Sequence, residues 1–263
     1  MPRRWTTEEE EKYRSELVDL YVAQNKSLRQ TATILDIKEQ TVFRRLARLG
    51  IPTMPHRKLH YLNRRNDIKI PGIYSKDLAE FFGIMLGDGH ISHFQISVHL
   101  GTKEAEYAEY VRALITKLFH APAKIAVRSS KYRDIYLGST AATAWLLQKG
   151  LVGNKVKAQV CVPRWIFLRN TFLKGLVRGF FDTDGSVYKL KFGIQIAFTN
   201  YSIPLLEDLQ KALAQLQYTP SDISGPRFYL TKRSEVKRFF SEIGPKNPKH
   251  RKRFYQFLHA PVG

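Results

Sequence analysis

Two aspartates, Asp88 and Asp184, stand in nearly the same local sequence: FFGIMLGDG closes on Asp88 and Gly89, and LVRGFFDTDG closes on Asp184 and Gly185. The apolar residues before each acid suit a buried helix. A carboxylate at a helix C-terminus faces the negative end of the macrodipole, which is unfavourable. The chain places that penalty twice. Two carboxylates brought together also repel each other and raise a pKa. A divalent cation removes both penalties at once. Mg²⁺ is a hard cation that favours one or two carboxylates, with water and phosphate oxygens completing its shell. A metal pair flanking a phosphodiester can activate water and stabilise the leaving oxygen. The plain alternative is a turn, since Asp-Gly is a common one. The doubling, with matching helical faces and matching strands downstream, favours the metal. DTDGSV also begins like a calcium loop, but the later ligands of an EF-hand do not follow.

Both acids need helices that meet. Gly83 and Gly87 lie four apart on one helical face, and Gly179 and Thr183 hold the same offset. Small residues at this spacing let two helix backbones approach closely. If the helices pack as parallel neighbours, Asp88 and Asp184 meet at the bottom of their interface.

From Ser75 onward the chain reads as one pattern written twice. After Asp88 comes HISHFQISVHL, and after Asp184 comes SVYKLKFGIQIAFTN, both strand-like, the second turned or bulged at Gly193. Helical EAEYAEYVRALITKLF matches IPLLEDLQKALAQL. The strand region KIAVRSSKYRDIYLG matches DISGPRFYLT, and helical STAATAWLLQKG matches RSEVKRFFSEIG. The halves close on GNKVKAQV and PKNPKHRKRF, where Lys155 and Lys249 repeat at almost the spacing of the two acids. The expected fold class is α+β: two pseudo-symmetric αββαββα halves, residues 75–170 and 171–263, with antiparallel sheets.

A small all-α domain over 1–52 and a basic linker over 53–74 precede them. TTEEEEKYRSELVDLYVAQ opens with capping threonines and first-turn acids. Leu28, Ala32 and Leu35 then share one face, and Val42, Leu46 and Leu49 make a stripe after a turn at Asp36–Lys38. This resembles a helix-turn-helix, whose second helix would offer Gln40, Thr41, Arg44 and Arg45 to base edges or phosphates, and Arg48 to phosphate. The alternative is a protein-interaction module with a solvated basic face. The linker PTMPHRKLHYLNRRNDIKIP either tracks a phosphate backbone or only connects two domains.

Charge names the class of partner. Lys and Arg number 43 against 23 Asp and Glu, a net +20. Such an excess favours a polyanion through counterion release, with nucleic acid ahead of a basic surface kept for solubility and a membrane surface well behind both. No apolar run is long enough for a membrane span, and no signal-peptide pattern opens the chain. The only cysteine, Cys161, leaves no internal disulfide and no cysteine zinc site. An intracellular location is expected.

With these residues in view, FFGIMLGDG and LVRGFFDTDG resemble the two signature motifs of the LAGLIDADG homing endonucleases. The likeness covers about 75–258, with further matches at GNKVKAQVCVPRWI and IGPKNPKHRKRF. It is to the single-chain, two-motif members, whose paired helices sit above saddle-shaped sheets. The resemblance implies that Asp88 and Asp184 bind divalent metal, each cutting one strand, and that the carbonyls of Gly87 and Thr183 reach the same metal. It implies Mg²⁺, replaceable by Mn²⁺, with Ca²⁺ binding without cleavage. Lys155 and Lys249 match the basic residue that stabilises charge near the scissile phosphate, though ordinary phosphate contacts explain them nearly as well. A water-orienting polar residue falls at His99 or Thr102 in one half and at Thr199 or Asn200 in the other. Asp182, opposite Leu86, is a helix-end or supporting residue.

The strands supply the recognition face. His93, Gln95, Ser97 and His99 alternate with Phe94, Ile96, Val98 and Leu100. Lys189, Lys191, Gln195, Ala197 and Thr199 form the corresponding face, with a slip at Gly193. Unequal faces imply a long non-palindromic site. The expected function is thus a site-specific, monomeric, metal-dependent double-strand DNA endonuclease. Its rivals are a non-cleaving DNA-binding regulator on the same scaffold and an intron RNA maturase. An intein fits poorly, because the Met-Pro start and HAPVG end lack the splice nucleophile and terminal His-Asn.

Overall fold

A computed structural model of the chain describes residues 5–24, 26–51, 67–128, 132–191 and 193–258. The chain divides into two compact units, residues 1–64 and 65–263. The linker reading over 52–66 lies outside the described residues.

The first unit is helical. α1 (Thr7–Leu17) starts at a capping box: Glu9 N–H donates to Thr6 Oγ1 at 3.2 Å, and Thr6 N–H donates to the Glu9 carboxylate at 3.0 Å. These bonds satisfy two helix donors that would otherwise be orphaned. The chain continues through a π-helical turn, Val18–Ala23. α2 (Leu28–Ile34) has its own capping box from Ser27 and Gln30, and α3 (Glu39–Arg48) follows a turn in which Asp36 is left-handed, φ 49°. Leu17, Tyr21, Ala32, Val42, Leu46, Leu49 and Ile51 form the core, with Leu28 and Leu35 packed against it.

The second unit is built on two apolar helices, α4 (Lys76–Leu86) and α7 (Asn170–Asp184). They touch backbone to backbone. A Cβ added at Gly83 would collide with Leu176 O and come within 2.7 Å of Phe180 N. One at Gly179 would collide with Glu80 O and stand 2.9 Å from Ile84 N. Gly175 makes a third such approach, 2.5 Å from Lys76 O. One buried acid spans the contact: Glu80, 1% exposed, accepts from Arg178 Nη1 of α7 at 3.1 Å and from Tyr110 Oη of α5 (Ala105–Phe119).

Each helix feeds an antiparallel sheet. The first has four strands, β1 (Gly89–Ile91), β2 (Gln95–Gly101), β3 (Lys124–Val127) and β4 (Tyr132–Gly138), in the order β1-β2-β4-β3. The second has three, β5 (Gly185–Leu190), β6 (Gly193–Thr199) and β7 (Arg227–Leu230), in that order. Ile96, Val98, Leu100, Ile135 and Leu137 of one sheet, and Val187, Ile194, Ile196, Phe198, Phe228 and Leu230 of the other, enter a common core with α4 and α7. α6 (Thr140–Gln148), α8 (Ile203–Gln215), α9 (Arg233–Glu242) and α10 (Pro248–Leu258) complete the unit. No helix among the described residues is long and apolar enough to cross a membrane.

The fold is α+β with antiparallel sheets, and it adds detail to the repeat and departs from it in one strand. HISHFQISVHL is two strands turned at Ser92–Phe94, which leaves Phe94 57% exposed. DISGPRFYLT yields one strand where the pattern predicts two: left-handed Gly225 and Pro226 close a tight turn in which Ser224 bridges to Arg227, too short for a ladder. GNKVKAQV forms turns, whereas its counterpart runs into α10.

Candidate metal-binding site and nucleic-acid interface

The two acids stand at equivalent helix-to-strand junctions. Asp88 follows the last turn of α4 and precedes β1; Asp184 ends α7 and precedes β5. The glycine after each is required by crowding. A Cβ at Gly89 would lie 2.6 Å from Met85 O, and one at Gly185 would lie 2.7 Å from Phe181 Cγ, so the chain turns against its own last helical turn. The junctions meet: a Cβ on Gly87 would collide with the Thr183 side chain and stand 3.5 Å from Asp184 Cγ.

Both carboxyls sit half-buried and are pushed upward. Asp88 rises to about 7, first through burial and then through repulsion from Asp184, against the pull of Lys249 and Lys155. Burial raises Asp184 too, opposed by a hydrogen bond from Asn200 Nδ2 to its Oδ2 at 3.0 Å and by both lysines. Of the polar candidates His99, Thr102, Thr199 and Asn200, Asn200 places its side chain on Asp184. His99 meets Asp88 only through its backbone N–H, 3.1 Å from Asp88 O.

Lys155 and Lys249 are both drawn to the acids, but they rest differently. Lys155 Nζ donates to three carbonyls at the end of α4: Met85 O at 3.2 Å, Gly89 O at 2.8 Å, and Gly87 O. Its ammonium therefore offsets the helix's negative end, and it occupies the Gly87 carbonyl predicted as a metal donor. Lys249, in the first turn of α10, pairs with Glu104 Oε1 at 2.8 Å. Glu104 also accepts from Asn247 Nδ2 at 2.7 Å and from Gly101 N–H at 3.0 Å. Burial pushes Glu104 up, but the bonds from Lys249 and Asn247 outweigh it and hold the carboxyl below its ordinary value. Asp182 anchors this segment, its two oxygens accepting the N–H groups of Lys246 and Asn247 at 2.8 and 3.0 Å. Thr183 is buried, its hydroxyl bonded to the carbonyls of Gly179 and Phe180.

The donor set suits a hard divalent cation: two carboxylates and nearby backbone carbonyls, all oxygen. No group of three or more His, Cys, Asp or Glu side chains is gathered as a metal cage among the described residues.

The outward face of the first sheet carries Gln95 and His99. Ser97 is on the same face but only 4% exposed, because it lies in an inner strand between His90 of β1 and Tyr136 of β4. His93 sits in the β1–β2 turn, off the strand face. Sequence reading missed Asp134, which pairs with His99 across β2 and β4. His99 Nδ1 lies 2.7 Å from Asp134 Oδ1, and Arg128 Nε donates to Asp134 Oδ2 at 2.7 Å. Burial pushes Asp134 up, and the bonds from Arg128 and His99 bring it below the ordinary value.

In the second sheet the predicted face needs correction. Leu190 pairs with Gly193 and Tyr188 with Gln195, so the even residues of β5 share a face with the odd residues of β6. Gln195 and Thr199 face outward beside Ser186, Tyr188, Arg227 and Tyr229. Lys189 pairs with buried Ile194 on the core side, its own side chain exposed near the strand tip, and Lys191 lies past the end of β5. Ala197 is fully buried within β6.

On α3 of the first unit, Gln40, Arg44 and Arg48 are exposed, while Thr41 and Arg45 are half-buried. Arg45 stacks over Tyr13 of α1 at 3.8 Å and Arg48 over Trp5, just before α1, at 3.9 Å, so two of the basic side chains are steadied by aromatic rings.

Residues 171–244, from α7 through α9, match the family model of a LAGLIDADG-like domain. A stretch of 182 residues, 65% of this chain, is 29% identical to the replication factor C small subunit of Methanocaldococcus jannaschii. The chain spans about a tenth of that protein's length, 10%. Among solved structures, the homing endonuclease I-WcaI bound to its DNA recognition sequence is similar at 15% identity and a TM-score of 0.49. That likeness covers 68% of this chain and 86% of that one. The N-terminal LAGLIDADG domain of DUF199/WhiA is similar at 15% identity and a TM-score of 0.46, covering 67% of this chain and 87% of that one.

Proposed function

The chain carries a LAGLIDADG-like domain, and from that premise we propose that it is a site-specific, divalent-metal-dependent double-strand DNA endonuclease acting as a monomer. One observation carries the reading. Two acids from equivalent junctions share one half-buried site in which each carboxyl is pushed upward. A protein that only binds DNA gains nothing from this arrangement, because paired carboxylates repel phosphate as well as each other. That weighs against the non-cleaving regulator.

Asp88 and Asp184 would hold the metal, Mg²⁺ by the hardness of the donors. When bound, it supplies charge neutralisation at the phosphodiester and lowers the pKa of water. The chain's own residues do the rest. Asn200 holds one oxygen of Asp184, fixing the carboxylate's orientation. Glu104 and Asn247 set the position of Lys249, while the α4 carbonyls set that of Lys155. These two ammonium groups are the charges nearest the acids that can answer a phosphate. The sheet faces and the net +20 bind and align the duplex. α3 of the helical unit extends the target.

The test is a cleavage selection on a randomised duplex library, with Mg²⁺ and with Ca²⁺. Cutting at one long site in Mg²⁺, and binding without cutting in Ca²⁺, is the expected result. Tight duplex binding with no cleavage under any metal would transfer the reading to the regulator.

A further inference from the structure

We infer that Arg128, buttressed by Asp134, reads a guanine in the part of the DNA site that faces the first sheet. The inference rests on the DNA reading above and names base chemistry for that surface.

The face is defined by register. In β3, Ile125 pairs with buried Ile135, and Lys124 and Ala126 pair with Tyr136 and Asp134. Alternation then puts Arg128 on the side of Asp134, His99 and Gln95. Asp134 is nearly buried at the centre of this face, 8% exposed. An acid placed there repels DNA unless it is neutralised, so it has to earn its position. Its two oxygens are divided between two partners, His99 Nδ1 and Arg128 Nε, each at 2.7 Å.

Engaging Nε fixes the plane of the guanidinium and leaves the fork of two terminal nitrogens outside the pair, on a side chain 53% exposed. That fork matches O6 and N7 on the major-groove edge of guanine. Holding the side chain in advance also lowers the ordering cost of the contact. A phosphate contact needs charge more than a fixed plane, and a lysine can supply it as a point charge. The equivalent face of the second sheet offers Tyr188, Gln195, Thr199, Arg227 and Tyr229, and no acid stands among them.

The experiment is selection of bound duplexes from a random library in Ca²⁺, using the full chain, with Arg128→Ala, Arg128→Lys and Asp134→Asn beside the wild type. Thermal melts accompany each variant. The wild type is expected to prefer guanine at one position by roughly ten- to a hundredfold. Arg128→Ala should erase that preference and leave the other positions intact, and Arg128→Lys should not restore it. Asp134→Asn should weaken the same preference several-fold without an unfolded melt. Uniform weakening at all positions, rescued by lysine, would make Arg128 a phosphate contact and overturn the inference, as would an unchanged guanine preference. A wild type that selects no duplex would overturn the DNA reading itself, and the inference with it.

Discussion

The two halves share the helix-to-strand junction and most of their element order, yet solve the same electrostatic problem differently. In the first, Leu86 stands in the core where Asp182 stands in the second, and Lys155 reaches back to cap the end of α4. In the second, Asp182 binds the backbone before α10, and Lys249 is turned to Glu104, a residue of the first half. Each lysine thus makes its hydrogen bonds to first-half groups, and Asp184, which feels both ammonium charges, takes its side-chain hydrogen bond from Asn200. Duplicated topology preserves where the acids stand; the surrounding partners are free to diverge provided each buried charge is answered.

The comparison breaks most visibly at the acids. Asp88→Asn or Asp184→Asn is expected to lower double-strand cleavage by roughly a thousandfold or more, while duplex binding in Ca²⁺ persists. Full cutting by either variant would separate the two junctions and remove the shared-site reading. The glycine contact comes next. Gly179→Ala should cost about 3 kcal/mol or more, because the added methyl meets the rigid backbone of α4. Gly193→Ala, at a position with open space around its Cβ, should cost less than about 1 kcal/mol. Equal denaturant midpoints for the two would mean that α4 and α7 do not touch as described.

Much of this architecture was legible because it depends on short-range pattern. The glycine faces of α4 and α7, the acids at their ends and most of the strand–helix order follow from spacing, the missing strand before β7 being the exception. What escaped depends on contacts distant in sequence or on turn length. The pairing of Leu190 with Gly193 decides which face Lys189 joins, and alternation within β5 alone cannot say so. Ser97 alternates correctly but is sheltered by neighbours from two other strands. Asp134 and His99 lie far apart along the chain and meet only through the β2–β4 register. Gly175 carries a signal that could have been read, since it stands one turn before Gly179 on the same face.

A smaller effect separates the lysines. Lys155→Met leaves three carbonyls at the end of α4 without their ammonium donor, a loss of about 1–3 kcal/mol. Lys249→Met removes a partly exposed pair, and Glu104 keeps Asn247 and Gly101 as donors, so about 0–1 kcal/mol is expected. Chemical denaturation of the two variants measures the difference. A larger loss at Lys249 would reverse the assignment of Lys155 as the structural cation.

The last contrast between the junctions is in pH. Asp88 has its folded pKa raised to about 7, above the ordinary value of 3.8, chiefly by burial. The folded state therefore binds this proton more tightly than the unfolded chain does. Its contribution to stability is fully present below about 4 and is lost as pH rises toward 7. In metal-free buffer, the wild type should lose stability across that interval more steeply than Asp88→Asn, which has no proton to release there. Added Mg²⁺ should flatten the wild-type slope, since a bound cation favours the ionised carboxylate that burial opposes. Identical slopes for wild type and Asp88→Asn would mean that the carboxylate is already solvated, and the two junctions would then be less closely joined than their shared burial implies.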